Sequence, residues 1–139
     1  MKKAIIIGAS SGLGYEVAKI LINDGWRIGI AARRFDLLQA LQSSAPGIVE
    51  AEAIDVTSAD AASGLRRLAD RVGGMDLFFM SSGIGKQNGE LDETIETATV
   101  ATNALGFVRM VGEAFRYMAA NGGGQIAAIT SVAGTKGLG

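Results

Sequence analysis

The chain has 139 residues, enough for one domain that buries about two-thirds of its unfolded surface. With 48% hydrophobic residues, 20 glycines and a single proline, Pro46, it fits an α/β protein with glycine-dependent turns and excludes collagen-like and disordered chains. A net charge of −1 offers no basic stripe to a nucleic acid, and the absence of cysteine and histidine excludes disulfides, thiol nucleophiles, a histidine base and Cys/His zinc sites.

Met1-Lys2-Lys3 before Ala4 to Ile7 is like the start of a signal peptide, but the apolar run breaks at Gly8. No stretch is long enough to span a membrane, so the expectation is a cytoplasmic protein with no membrane partner and no metal. Lys3–Ile7 is instead predicted as a buried strand that runs into Gly8-Ala9-Ser10-Ser11-Gly12-Leu13-Gly14, with a helix over about Gly12–Asp24. Strand, glycine turn and helix together make a phosphate cradle. Gly8 and Gly12 allow a tight turn, and Gly14 lets the helix lie against the sheet. The helix N-terminus offers N–H groups and partial positive charge to a pyrophosphate. The spacing is Gly-x-x-x-Gly-x-Gly rather than the commoner Gly-x-Gly-x-x-Gly. The helix sets Leu13, Val17, Ile20 and Leu21 on one face, and Gly25 stops it.

Arg27–Ala32 is the second predicted strand, followed by a helix carrying Leu37, Leu38 and Leu41 and a turn at Ser43–Gly47. Val49–Ile54 is a short third strand ending at Asp55, and Ser58 or Asp60 is placed to cap the next helix. That helix buries Leu65, Leu68 and Val72 and ends at Gly73-Gly74. Asp76–Met80 is the fourth strand. A polar loop, Ser81 to Glu90, leads to a long helical stretch from about Glu93 to Asn121, whose second half sets Phe107, Val111, Phe115 and Met118 on one stripe. Gly122-Gly123-Gly124 breaks it before a fifth strand, Gln125–Thr130.

Five near-continuous apolar strands alternating with helices predict a doubly wound parallel sheet, a Rossmann fold with strand order 3-2-1-4-5. Ligands then sit at the carboxyl ends of the strands, where the order reverses. Arg33-Arg34 follows the second strand, where an acidic residue would bond the ribose 2′-hydroxyl of NAD. Ala32 holds the acidic position, and Arg33 can grip a 2′-phosphate with its fork of donors, which favours NADP(H) over NAD(H). At the end of the third strand, an Asp55 carboxylate could accept from the adenine amino group while the Val56 backbone reads another ring edge. Ser81-Ser82-Gly83-Ile84-Gly85, after the fourth, gives a small-residue floor for a flat ring.

These residues together resemble the short-chain dehydrogenases/reductases, in order along the whole chain. Gly8 to Gly14 is similar to the family's Thr-Gly-x-x-x-Gly-x-Gly loop, and Asp55-Val56 to its adenine-binding Asp-hydrophobic pair. Ser82-Gly83-Ile84-Gly85 sits where the family has Asn-Asn-Ala-Gly and departs from it, since no asparagine remains to stabilise the central sheet. Asn103-Ala104-Leu105-Gly106 matches Asn-x-x-Gly, and the resemblance implies that Asn103 marks a bend between helices and holds a water in the proton relay. Thr130-Ser131-Val132-Ala133-Gly134 resembles the motif whose serine bonds the substrate oxygen, which makes Ser131 and Asn103 the catalytic candidates. The cofactor candidates are Gly8, Ser10, Ser11, Gly12, Leu13 and Gly14, then Arg33, Arg34, Asp55 and Val56, and finally Ser82, Gly83 and Ile84.

The family's acid/base is a tyrosine in Tyr-x-x-x-Lys, beyond that serine. The chain's two tyrosines do not supply it, because Tyr15 lies in the first helix and Tyr117 is followed by Asn121. Only eight residues follow Ser131, so the expectation is a cofactor half that is truncated at Gly139. Such a chain exposes its last strand as an edge, tends to self-associate, binds cofactor weakly if at all, and turns over nothing. The resemblance implies, for the intact protein, hydride transfer between NADP(H) and a small carbonyl or secondary alcohol, in a homo-oligomer. The alternative is a non-catalytic dinucleotide-binding or partner-binding protein. Arg33-Arg34 argues against an S-adenosylmethionine methyltransferase, and the lack of Gly-Lys-Ser/Thr excludes a P-loop NTPase.

Overall fold

The computed structural model describes residues 1–81, 83 and 88–130, and among these five strands alternate with helices. The strands are β1 (Lys3–Ile7), β2 (Arg27–Ala32), β3 (Val49–Ala53), β4 (Leu77–Met80) and β5 (Gln125–Ala128). All pair in parallel in the order β3-β2-β1-β4-β5, as the sequence predicts, so the order reverses between β1 and β4. Ile6 sits at the centre, in register with Ile30 on one side and Phe79 on the other. Because side chains alternate along a strand, β1 feeds two cores. Ile5 and Ile7 join Leu65, Leu68, Phe78 and Met110 on one face, and Ala4 and Ile6 join Leu21, Ile28, Leu38 and Leu41 on the other.

The second of these faces is covered by α1 (Gly12–Asn23) and α2 (Gln39–Ser44), the latter entered through a 3₁₀ turn at Phe35–Leu37. The first face is covered by α3 (Ala61–Val72) and α5 (Phe107–Ala120). Between β4 and α5 runs α4 (Glu93–Val100), started by Asp92, whose carboxylate accepts from the N–H groups of Thr94 and Ile95. The bend expected near Asn103 is a π-helical turn, Ala101–Gly106.

Two helix faces differ from the sequence reading. On α1, Leu13 and Ile20 are 59% and 57% exposed, and the buried positions are Gly14, Ala18 and Leu21. Small residues win there because the helix lies close to the sheet. On α5, Phe115 is 65% exposed and Phe107 also faces out, whereas Met110, Ala114 and Met118 are buried. The buried face also carries Glu113, only 4% exposed, whose carboxylate is held by Arg66 of α3 at 2.6 Å and by Arg116 at 3.1 Å. A charged residue on the inner face disguises it in the sequence.

Other differences are small. Leu37 is exposed and precedes α2, and β3, β4 and β5 are one or two residues shorter than expected. Asp60 holds the first-cap position of α3, but its side chain accepts from the Ser58 hydroxyl and caps no helical N–H. Among the described residues β5 pairs only with β4, which makes it a sheet edge.

Candidate functional site

A cleft of about 490 Å³ opens at the carboxyl ends of β1, β2 and β3, at the reversal of strand order. Its floor begins where β1 ends. The Gly8 and Ala9 amides both donate to the Ala31 carbonyl of β2, at 2.8 and 3.2 Å, and so turn the chain across the sheet. Gly8 and Gly12 have φ of 83° and 60°, which glycine adopts without steric cost. Gly14 is needed for a different reason: a Cβ there would lie 2.3 Å from the Gly8 carbonyl oxygen and 3.2 Å from Ser81 Oγ. The approach that Gly14 permits is therefore to the loop's own first residue and to the end of β4.

The loop delivers Ser11 as the first cap of α1, in extended conformation and with its own side chain bonded to none of the helix N–H groups. No acidic residue stands in the first turn. The positive end of the helix dipole thus meets the cleft uncapped by the Ser11 side chain.

Ser10, Ser11, Gly12 and Leu13 line the cleft beside Gly8, and Arg33 and Arg34 form the wall beyond β2. The two arginines differ. Arg34 bonds Asp36 at 2.8 Å, while Arg33 has no hydrogen bond or ion pair to any described residue. Asp55 and Val56 close the next side. The Asp55 carboxyl is held below its ordinary value of 3.8, first by the Thr57 hydroxyl, then by the Thr57 amide, with a smaller contribution from the Arg33 charge. Both Thr57 groups donate to the same oxygen, Oδ1, at 2.6 and 3.0 Å. Asp55 is therefore a turn aspartate of the Asx kind that also faces the cleft.

Gly83 and Thr102 complete the lining toward the π-helical turn. Asn103 stands just outside, its Oδ1 3.3 Å from where a Gly83 Cβ would be. Gly14 lies behind the loop. Ser82, Ile84 and Ser131 fall outside the described residues. Ser81, part of the predicted small-residue floor, lines the cleft, and Thr102 is a lining residue that the sequence reading does not name. Ser81 stands one residue past β4, where its amide bonds the Ile7 carbonyl at 3.0 Å. Thr102 carries no local signal beyond its neighbour Asn103.

A family model described as short chain dehydrogenase matches residues 2–139. The chain belongs to that family. An uncharacterized oxidoreductase of Myxococcus xanthus (strain DK1622) is 34% identical to this chain over 143 residues, which cover 99% of the chain and 56% of the relative. The crystal structure of a short-chain type dehydrogenase/reductase from Mycobacterium marinum matches it with a TM-score of 0.90 at 30% identity, over 99% of this chain and 58% of that one. An alcohol dehydrogenase from the archaeon Thermococcus sibiricus, complexed with 5-hydroxy-NADP, matches with a TM-score of 0.88 at 27% identity, over 99% and 61% respectively. The chain spans little more than half the length of these proteins. No described helix of it is long and apolar enough to cross a membrane.

Proposed function

We propose that residues 1–139 form the NADP-binding half of an oxidoreductase that moves hydride between nicotinamide and a carbonyl or secondary alcohol. One observation carries this reading: the N-terminus of α1, which the Ser11 side chain does not cap, and Arg33, which pairs with no described residue, line one cleft. A pyrophosphate suits the first and a 2′-phosphate the second. The glycine loop fits a dinucleotide because its backbone is bare at the approach, and Asp55, held ionised, suits an adenine amino group. The 5-hydroxy-NADP bound by the Thermococcus sibiricus enzyme agrees with this preference.

The bound nicotinamide supplies the redox chemistry, and the chain's residues position it. Gly8 to Gly14 hold the pyrophosphate, Arg33 the 2′-phosphate, and Asp55 with Val56 the adenine. Ser82, Gly83 and Ile84 are the residues proposed to meet the flat rings. Asn103 keeps a water in the proton relay, and Ser131 orients the substrate oxygen. The substrate proton itself needs the family's Tyr-x-x-x-Lys, whose lysine would also hold the nicotinamide ribose, so residues 1–139 by themselves hold cofactor weakly and turn over nothing. The outer face of α5, with Val108 and Phe115 exposed, is the surface on which copies associate.

The test is calorimetric titration of NADPH and then NADH into protein of verified mass. The reading expects weak binding of NADPH and weaker binding of NADH. Equal affinities contradict the NADP preference, and absence of both contradicts the cofactor half.

A further inference from the structure

Between Asp55 and the helix that follows the π-helical turn runs a chain of contacts that the proposed cofactor chemistry does not use. Arg109, half-buried on α5, donates a guanidinium hydrogen bond to the Thr57 carbonyl. Thr57 turns both of its own donors, amide and hydroxyl, onto Asp55 Oδ1. Oδ2 accepts from no described residue, on the side chain that lines the cleft. Among the described residues no other hydrogen bond joins the 55–57 turn to a different element. On the far side of the turn Val56 is packed against Gly106, where a Cβ would come within 2.6 Å of Val56 Cγ2.

We infer that Arg109 is a positioning residue, which fixes the Thr57 turn so that Asp55 keeps one oxygen occupied and presents the other to the adenine amino group. This rests on the dinucleotide reading of the cleft. The physical argument is one of orientation. Asp55 is exposed, and an exposed carboxylate is free to rotate unless something holds it. Thr57 holds it from its own turn, and the buried Val56 seats the middle of that turn, but among the described residues only Arg109 bonds Thr57 from another element. Arg109 reaches it from a helix seated on the core, and a guanidinium donor forms a stronger bond to a carbonyl than a neutral donor does. The adenine end of the cleft is thereby tied to the same helical unit that carries Asn103.

The experiment compares two ligands on one protein: NADPH and its deaminated analogue, in which hypoxanthine replaces adenine and the amino donor is gone. The full 139-residue chain is titrated with each, as wild type and as Arg109→Lys, Arg109→Met, Arg109→Gln and Arg109→Ala, with a melting curve for every variant. Wild type is expected to prefer NADPH by about tenfold, the worth of one hydrogen bond to a charged acceptor. In the folded variants without a cationic donor the preference collapses toward parity, and in Arg109→Lys it is largely kept. A purely structural role would weaken both ligands alike and leave the ratio unchanged.

A preserved ratio in any folded variant without a cationic donor overturns the inference, and so does a wild type that binds NADPH with no preference. If Met, Gln and Ala variants all fail to fold, the inference is also overturned, because Arg109 is then a structural residue. A wild type that binds neither ligand contradicts the dinucleotide reading itself.

Discussion

Gly106 closes the π-helical turn directly onto Val56, and a Cβ added to Gly106 would lie 2.6 Å from Val56 Cγ2 and 3.0 Å from its Cβ. Val56 is buried, so its side chain has little room to yield. Gly106→Ala is expected to cost about 1–3 kcal/mol by overpacking, read as a lowered melting temperature. An unchanged melting curve would mean that the turn is not seated on Val56 as described.

The glycine loop offers an internal contrast. At Gly14 a methyl group meets the Gly8 carbonyl oxygen at 2.3 Å, which is backbone and cannot move aside. At Gly12 nothing lies within 4 Å, but φ is +60°. Gly14→Ala should therefore cost about 3 kcal/mol or more, and Gly12→Ala only about 1 kcal/mol of backbone strain. Equal melting temperatures for the two variants contradict this division of roles.

The arginine wall yields a similar contrast in binding. Arg33→Ala is expected to weaken NADPH by about ten- to a hundredfold, the range for a charge-assisted contact to phosphate, and to leave NADH unchanged. Arg34→Ala should do much less, since Arg34 is already engaged with Asp36 at 2.8 Å. Titration of both variants with both cofactors checks this, and equal effects of the two substitutions count against it.

Asp55 makes a pH-dependent contribution. Its carboxyl is held below the ordinary 3.8 when folded, so the unfolded chain takes up the proton first as acid is added. The bonds from Thr57 therefore stabilise the protein fully at pH above 3.8, and this support is lost as pH falls through the lower folded value. Asp55→Asn should melt slightly below wild type near neutrality, with the gap closing only in acid. Because Asp55 is exposed the gap is small, and one that widens toward low pH contradicts the assignment.

Glu113 is enclosed between Arg66 and Arg116, whose side chains are mostly in solvent. Arg66→Ala leaves the buried carboxylate with one partner, and should cost about 1–2 kcal/mol, between the values for exposed and fully buried pairs. Arg66→Lys restores less than its charge suggests, because Nε and Nη2 both bond the same carboxylate oxygen, at 3.0 and 2.6 Å. Chemical denaturation of the two variants measures both effects.

The sheet was legible because its central strands, β1, β2 and β4, are apolar on both faces, and only helices on either side can cover such strands. That alternation and the glycine loop after Ile7 lead to the strand order. The cleft was legible for a related reason: its residues stand directly at strand ends, where position alone predicts exposure to a ligand. Helix faces were harder. The burial of Gly14 and Ala18 in place of Leu13 depends on how closely α1 approaches the sheet, which no periodicity reports. On α5, Glu113 hides on the inner face because Arg66 reaches it from another helix. The hold of Arg109 on the Thr57 carbonyl was likewise out of reach, because it joins segments far apart in the chain.

The most direct test of the account is an amide chemical-shift map of the labelled 139-residue protein titrated with NADPH. The account predicts shifts concentrated at Gly8 to Gly14, at Arg33 and Arg34, and at Asp55 to Thr57, with the α5 face of Val108 and Phe115 unmoved by the ligand. Shifts confined to other surfaces, or none at millimolar NADPH, would contradict the claim that this cleft is a dinucleotide site.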